Sequence, residues 1–198
     1  EAAARQGLRV MVLAAGKGVI DGEKLPEPLE PLGLCCLSDV LRDNVTETLD
    51  YFRRQGVTLK VISGDDPRTV ANIARRVGMP GWENFVDATT LTDDAALAEA
   101  AERCTIFGRV TPEQKRKLVE ALKAAGHSVA MTGDGVNDIP ALKAADCSIA
   151  MAGGADAAKH AAQLTLMNAD FAAMPEIVGE GRRVINNIPR ASSLFLVK

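Results

Sequence analysis

Aromatic side chains are scarce: one Trp, one Tyr and five Phe make up 4 % of the 198 residues. Stacking platforms for single-stranded bases need more than that. There is no basic excess either, since 23 Lys and Arg face 26 Asp and Glu for a net charge of −3. The chain therefore has neither footprint of a nucleic-acid partner. Only two histidines occur, His127 and His160, and the four cysteines (Cys35, Cys36, Cys104, Cys147) form no CxxC pair. A zinc site of ordinary spacing is excluded. The adjacent Cys35 and Cys36 would point to opposite faces of a strand. Each cysteine lies in an apolar run, so buried free thiols in a reducing compartment are expected. No apolar run reaches the length of a membrane span. The start, "EAAARQGLRVMVLAAG", lacks an initiator Met, and the end, "SSLFLVK", stops as an apolar run begins; both termini read as cuts.

What is present is a regular alternation. Residues 8–14 and 32–37 read as apolar strands, joined by a Gly-, Pro- and Glu-rich connection over 16–31. Helices are then expected over 45–56, 66–78, 93–103, 111–126, 137–146 and 155–162. Strands are expected between them at 57–62, 105–110, 127–132, 147–151 and 164–167. Thr111 is placed as the N-cap of its helix with Pro112 at the first position. Continuous apolar strands alternating with helices imply a parallel sheet covered on both faces, an α/β doubly wound domain. Ligands of such sheets sit beyond the C-terminal strand ends. The polar punctuation falls there, at "SGDD" (63–66) and "TGDGVND" (132–138). Residues 171–198 show no strand. They read as an amphipathic helix broken near Pro189, with basic residues at 182, 183 and 190 ahead of an apolar run. That pattern suits a stalk leading into a membrane, or a C-terminal helix packed on the sheet.

Three stretches carry chemistry. In "SGD", Ser63 and Gly64 bring a hydroxyl and bare backbone N–H groups into one concavity suited to phosphoryl oxygens. Alone, such a sequence is most often only a turn. In "VTPEQKRKL", Lys115 lies on the first turn of its helix, near the positive end of the dipole, where both neutralise charge on a transferring phosphoryl group. Its bland reading is an exposed lysine beside Arg116 and Lys117. In "TGDGVND", hard oxygen donors at a strand end suit Mg²⁺, which keeps several waters and takes one or two carboxylates plus phosphate oxygens. Gly133 and Gly135 allow close backbone approach, and Asp138 can brace the site from behind. Together the three favour phosphoryl transfer, a reaction of positioning and charge neutralisation.

"SGD", then "RVTPEQK", then "MTGDGVNDIPALKAADCSIAM" resembles the phosphorylation domain of P-type cation-transporting ATPases, within the haloacid dehalogenase superfamily. The likeness runs from about Gly33 to Lys198, and the tail "NIPRASSLFLVK" looks most like bacterial calcium- or magnesium-type pumps. The resemblance implies a haloacid dehalogenase-like, Rossmann-type sheet. It divides the chain into the end of a nucleotide-binding domain with its hinge strand (1–38), a partial phosphorylation domain (39–170) and a stalk helix leading to a membrane span (171–198). It implies ATP and Mg²⁺ as cofactors, a metal cation as cargo, and a place on the cytoplasmic side of a cell membrane. Asp134 would coordinate Mg²⁺, with Asp138 and Asn137 supporting metal and phosphate. Ser63 and Gly64 would contact the phosphoryl group, Asp65 would lie nearby, and Lys115 would stabilise the phosphorylated aspartate. Arg109 would contact nucleotide. "SDVLRDNV" matches the family's hinge: Asp39 and Arg42 keep the polar positions, Arg42 reaching ATP phosphates, while Val40 and Leu41 replace prolines.

One departure outweighs the others. The family's nucleophile is the first Asp of Asp-Lys-Thr-Gly-Thr, which attacks the γ-phosphate, and no "DKTG" occurs in the 198 residues. Asp21 in "VIDGEK" lacks the Lys-Thr that should follow. The nucleophile is expected upstream of Glu1, leaving the chain inactive alone. Its strand is normally central, so its neighbours are expected to keep unpaired edges. Either residues 8–14 fill that gap, or the chain associates with a copy of itself. Two other readings stand beside the pump. One is a soluble phosphatase of the same superfamily, which needs an Asp-x-Asp that "RVMVLAAGKG" does not offer. The other is a non-catalytic binding module that keeps the fold.

Overall fold

The structure, a computed structural model, describes residues 9–18, 28–37, 41–42, 44–168 and 170–196. Asp21 and Asp39, singled out above, lie outside the described residues. Strands β1 (Arg9–Gly16) and β2 (Leu29–Leu37) form an antiparallel ribbon whose register shifts between Leu13 and Ala14. It is apolar on both faces, and both are exposed, with Val12 at 66 % on one and Leu13 at 62 % on the other. Two expectations are corrected here. Of the segment at 8–14, the described residues belong to β1, which takes β2 as its partner and does not enter the parallel sheet. The cysteines are free but not buried: Cys35 and Cys36 are exposed on a ribbon that no other described element covers, and Cys104 and Cys147 are half-buried.

The rest alternates as the apolar pattern requires. In order come helix α1 (Val45–Arg54), strand β3 (Val61–Ile62), helix α2 (Pro67–Arg76), strand β4 (Phe85–Asp87), helix α3 (Asp94–Arg103) and strand β5 (Ile106–Gly108). Helix α4 (Pro112–Ala124), strand β6 (Ala130–Gly133), helix α5 (Ile139–Ala144), strand β7 (Cys147–Met151), helix α6 (Asp156–Ala161), strand β8 (Leu164–Leu166) and helix α7 (Met174–Leu196) follow. Local chemistry sets several ends. Thr111 and Gln114 close a reciprocal capping box on α4, with Pro112 behind it. Asp66 caps α2 by accepting from the Arg68 amide at 2.9 Å. Gly78, just past α2, takes the left-handed φ of 71° that stops a helix.

Strands β3 to β8 are all parallel but form two sheets, ordered β3-β5-β4 and β6-β7-β8. β3 is an edge of the first and β6 an edge of the second, and among the described residues no strand pairs with either edge. The expected unpaired edges are therefore present. In the first sheet, Ile106 packs with Val70, Ala71 and Ala74 of α2, while Phe107 packs with Leu97 and Ala101 of α3 and Leu118 of α4. Neighbouring residues serve opposite faces, which is the double winding. In the second, Met131 packs with Ala141 and Leu142 of α5 and Ala158 of α6, while Ile149 and Leu166 pack with Phe52 of α1 and Met174 of α7. Helix α4 serves both, giving Leu118 to the first sheet's core and Val119 to the second's.

Strand β4 (Phe85–Asp87) lies where no strand is expected, strands 105–110 and 127–132 are found at Ile106–Gly108 and Ala130–Gly133, and further boundaries differ. Strand 57–62 shrinks to Val61–Ile62, because its partner β5 has only three residues to pair with. Helix 137–146 opens as a tight turn over Val136–Asp138 before α5 begins. Helix α7 continues through Pro189 instead of breaking there. That stretch is exposed, so water can satisfy the carbonyl that Pro189 cannot bond. No described helix is long and apolar enough to cross a membrane.

Candidate functional site

The loops beyond the C-terminal ends of β3, β5, β6 and β7 carry the site. After β3, the Ser63 hydroxyl accepts from the Asp65 amide at 3.1 Å, closing a small turn. That turn is laced to the loop after β5. The Val110 amide donates to the Ser63 carbonyl at 3.0 Å and the Arg109 amide to the Asp65 carbonyl at 2.8 Å. Gly108 makes this approach feasible, because a Cβ there would lie 2.5 Å from both Pro67 Cα and Cδ. Arg109 itself has a φ of 52°, strained for a residue with a side chain. Its guanidinium spans two carboxylates, donating to Asp66 Oδ2 at 2.7 Å and Asp87 Oδ1's neighbour Oδ2 at 2.8 Å. The Thr89 hydroxyl and amide, with Arg109 adding its charge, hold Asp87 below the usual carboxylate range. Asp66 and Asp87 are not singled out in the sequence.

After β6, Asp138 is the hub. Its Oδ1 accepts from Lys115 Nζ at 2.6 Å. Its Oδ2 accepts from the Asp134 amide at 3.2 Å and the Gly135 amide at 3.1 Å. Gly133 is required, since a Cβ there would fall 2.6 Å from Asp138 Cβ. Lys115 and Asp138 are nearly enclosed, with side chains 13 % and 10 % exposed. Burial pushes the Asp138 carboxyl up, but the Lys115 bond, the two amides and the lysine charge outweigh it, and its pKa lies below the ordinary value. The sign follows. A depressed carboxylate contributes stability above the ordinary carboxylate range and loses it as pH falls through that range. Acid titration of the fold is therefore expected to steepen below about pH 4. In Asp138→Asn, that increment disappears from the pH dependence of the urea midpoint.

Asp134, Asn137 and Asp65 are exposed. Among the described residues, no hydrogen bond or ion pair takes up the Asp134 or Asp65 carboxylate. The structure thus joins Lys115, Asp138 and Asp134 in one cluster, and Ser63, Asp65 and Arg109 in another. Arg42 pairs instead with Asp170 at 3.6 Å. No group of three or more His, Cys, Asp or Glu gathers as a metal cage among the described residues. The donors on offer are oxygens, with the Asp134 carboxylate uncommitted. That set fits Mg²⁺ shared with a phosphate, and not an all-protein cation cage.

A profile described as haloacid dehalogenase-like hydrolase matches residues 2–146. The chain belongs to this family. Among its relatives is a probable cation-transporting ATPase, exp7, of Streptococcus pneumoniae, 48 % identical over 99 % of the chain and 25 % of the relative. The calcium-transporting ATPase CtpE of Mycobacterium bovis is 48 % identical over 98 % of the chain and 24 % of its own length. The chain thus spans about a quarter of these curated relatives. A crystal structure of a zinc-transporting PIB-type ATPase in an E2.Pi state superposes with a TM-score of 0.67 and 25 % identity, covering 96 % of the chain and 25 % of that protein. The catalytic domain of the CPx-ATPase CopB-B gives a TM-score of 0.57 and 26 % identity over 77 % of the chain and 50 % of that domain. These neighbours agree with the α/β fold expected from the alternation and with the haloacid dehalogenase-like sheet that the resemblance implies.

Proposed function

We propose that this chain is the C-terminal part of the cytosolic headpiece of an ATP-driven cation pump, and that it supplies the Mg²⁺- and phosphate-stabilising residues of an aspartyl-phosphate cycle. In this reading residues 1–38 end a nucleotide-binding domain, 39–170 belong to the phosphorylation domain, and 171–198 form a stalk on the cytoplasmic side of the cell membrane. The observation that carries it is the Lys115–Asp138 pair, formed just past the end of β6 with Asp134 in the same loop. Transport ATPases as relatives along nearly the whole chain support the same reading.

The residues divide the work. Lys115 holds a positive charge where a phosphoryl group would arrive, and Asp138 keeps that ammonium in one place. Asp138 also pins the Asp134 and Gly135 amides, so it acts as a brace with both oxygens occupied. Asp134, with Asn137 beside it, would hold Mg²⁺, which supplies charge neutralisation to phosphoryl oxygens. Ser63 and the open backbone of Gly64, with Asp65 next to them, would receive those oxygens. Arg42 and Arg109 are assigned to ATP, Arg109 through a guanidinium shared with Asp66 and Asp87. A chain without a nucleophile of its own would not turn over, and its two open edges would suit association with a further strand or a copy of itself.

A phosphomonoester assay and a cation titration test this together. With Mn²⁺ as the spectroscopic stand-in for Mg²⁺, the chain is expected to take up one ion, more tightly with inorganic phosphate present, and to lose it in Asp134→Ala. No steady hydrolysis of a generic phosphomonoester is expected. Sustained turnover with Mg²⁺, abolished by Asp134→Ala, would replace the pump with a soluble phosphatase.

A further inference from the structure

Asp134 lies between two glycines, in a loop that by itself leaves its backbone loose. Its amide is held by Asp138 at 3.2 Å. Its carbonyl is held from a different strand. After β7 the chain turns through Gly153 and Gly154, and the Ala155 amide donates to the Asp134 carbonyl at 2.7 Å. Gly154 lies flat against the same peptide. A Cβ on it would sit 2.8 Å from Asp134 Cα and 3.0 Å from its carbonyl carbon, in addition to meeting the carbonyl oxygen. Gly153, one residue earlier, has nothing within 4 Å of such a Cβ. Neither glycine has a positive φ, so their difference is one of space alone.

The turn that does this is itself anchored. The Gly154 amide donates to the Met151 carbonyl at 2.9 Å, and the Ala152 amide to the Leu166 carbonyl at 2.9 Å. Ala155 opens α6, whose Ala158 is fully buried in the cluster with Met131, Ala141 and Leu142. Asp134 is therefore gripped at its amide by one element and at its carbonyl by another, and only its side chain is left to move.

We infer that the Gly154–Ala155 turn is a positioning element that aims Asp134 at the cation. This rests on the reading of Asp134 as the Mg²⁺ ligand. A loop carboxylate fixed on both flanking peptides has little left to order when an ion arrives, and groups that orient a ligand from behind typically change metal affinity by about 10–100-fold.

Four variants of the chain test it, by Mn²⁺ titration under paramagnetic resonance and by the amide resonances of Asp134 and Gly135. Gly153→Ala is expected to bind as the native chain does. Gly154→Ala is expected to bind about tenfold more weakly or worse and to shift both amide resonances before any ion is added. Ala155→Pro tests the hydrogen bond separately. Its φ of −62° already suits proline, so the change removes the donor at a compatible backbone, with the same weakening expected. Asp134→Ala is expected to bind no ion. Native affinity in Gly154→Ala, or in Ala155→Pro should the first variant unfold, overturns the inference while leaving Asp134 as ligand. Native affinity in Asp134→Ala, or a native chain that takes up no ion, overturns both readings at once.

Discussion

Lys115→Met is expected to destabilise the fold by about 3 kcal/mol, enough to lower the melting temperature by roughly 6–12 °C in a chain of this size. The methionine keeps the length and apolar stem of the lysine but leaves Asp138 as a nearly buried carboxylate without its cation. The cost comes from that stranded charge, more than from the pair's own net attraction. A second substitution separates the two. Asp138→Asn in the Lys115→Met background removes the charge while keeping an oxygen for the Asp134 and Gly135 amides, and recovers part of the loss. Calorimetry on the four corners of this cycle gives the coupling directly. A Lys115→Met chain that melts with the native one would show that the carboxylate is solvated and that the hub contributes nothing to the fold.

Phe107→Ala is expected to cost about 4 kcal/mol, the middle of the range for truncating a core aromatic. Phe107 is 1 % exposed, in the middle strand of the first sheet. It is among the largest fully buried side chains, packed with Leu97 and Ala101 on one helix and Leu118 on the next. Two helices anchored to a sheet by its flanking strands have little freedom to close on the void. Urea unfolding checks this: the midpoint falls while the slope stays as it is, since the surface exposed on unfolding changes little. Ile106→Val, on the opposite face of the same strand, removes only one methylene and is the mild comparison.

Much of this was legible before any coordinates. The order of helices and strands follows from apolar runs of strand length set between amphipathic stretches. Thr111, Pro112 and Gln114 announce the start of α4 by chemistry that is local to four residues. The glycines and carboxylates of "TGDGVND" announce a turn at a strand end for the same reason, and the structure places them just past β6. What escaped the sequence is what depends on distant partners. Nothing near Arg109 announces that its guanidinium reaches Asp66 and Asp87, because those carboxylates come from other strand ends. Gly153 and Gly154 are indistinguishable as letters, and only the peptide of Asp134, on another strand, tells them apart. Cys35 and Cys36 have apolar neighbours and read as core, yet among the described residues their ribbon has no layer to lie against. Pro189 reads as a helix breaker, which holds where a missing hydrogen bond is buried and not where water replaces it.

Helix α4 has a further geometric consequence. Leu118 and Val119 commit its two flanks to different sheets, and Lys115 lies three and four residues earlier, one turn above both. The lysine therefore sits over the seam between the sheets, on a beam whose tilt is set by how far apart they stand. The place of the ammonium reports the width of that seam. A change in the spacing of the two sheets would reach Lys115 through the packing of Leu118 and Val119.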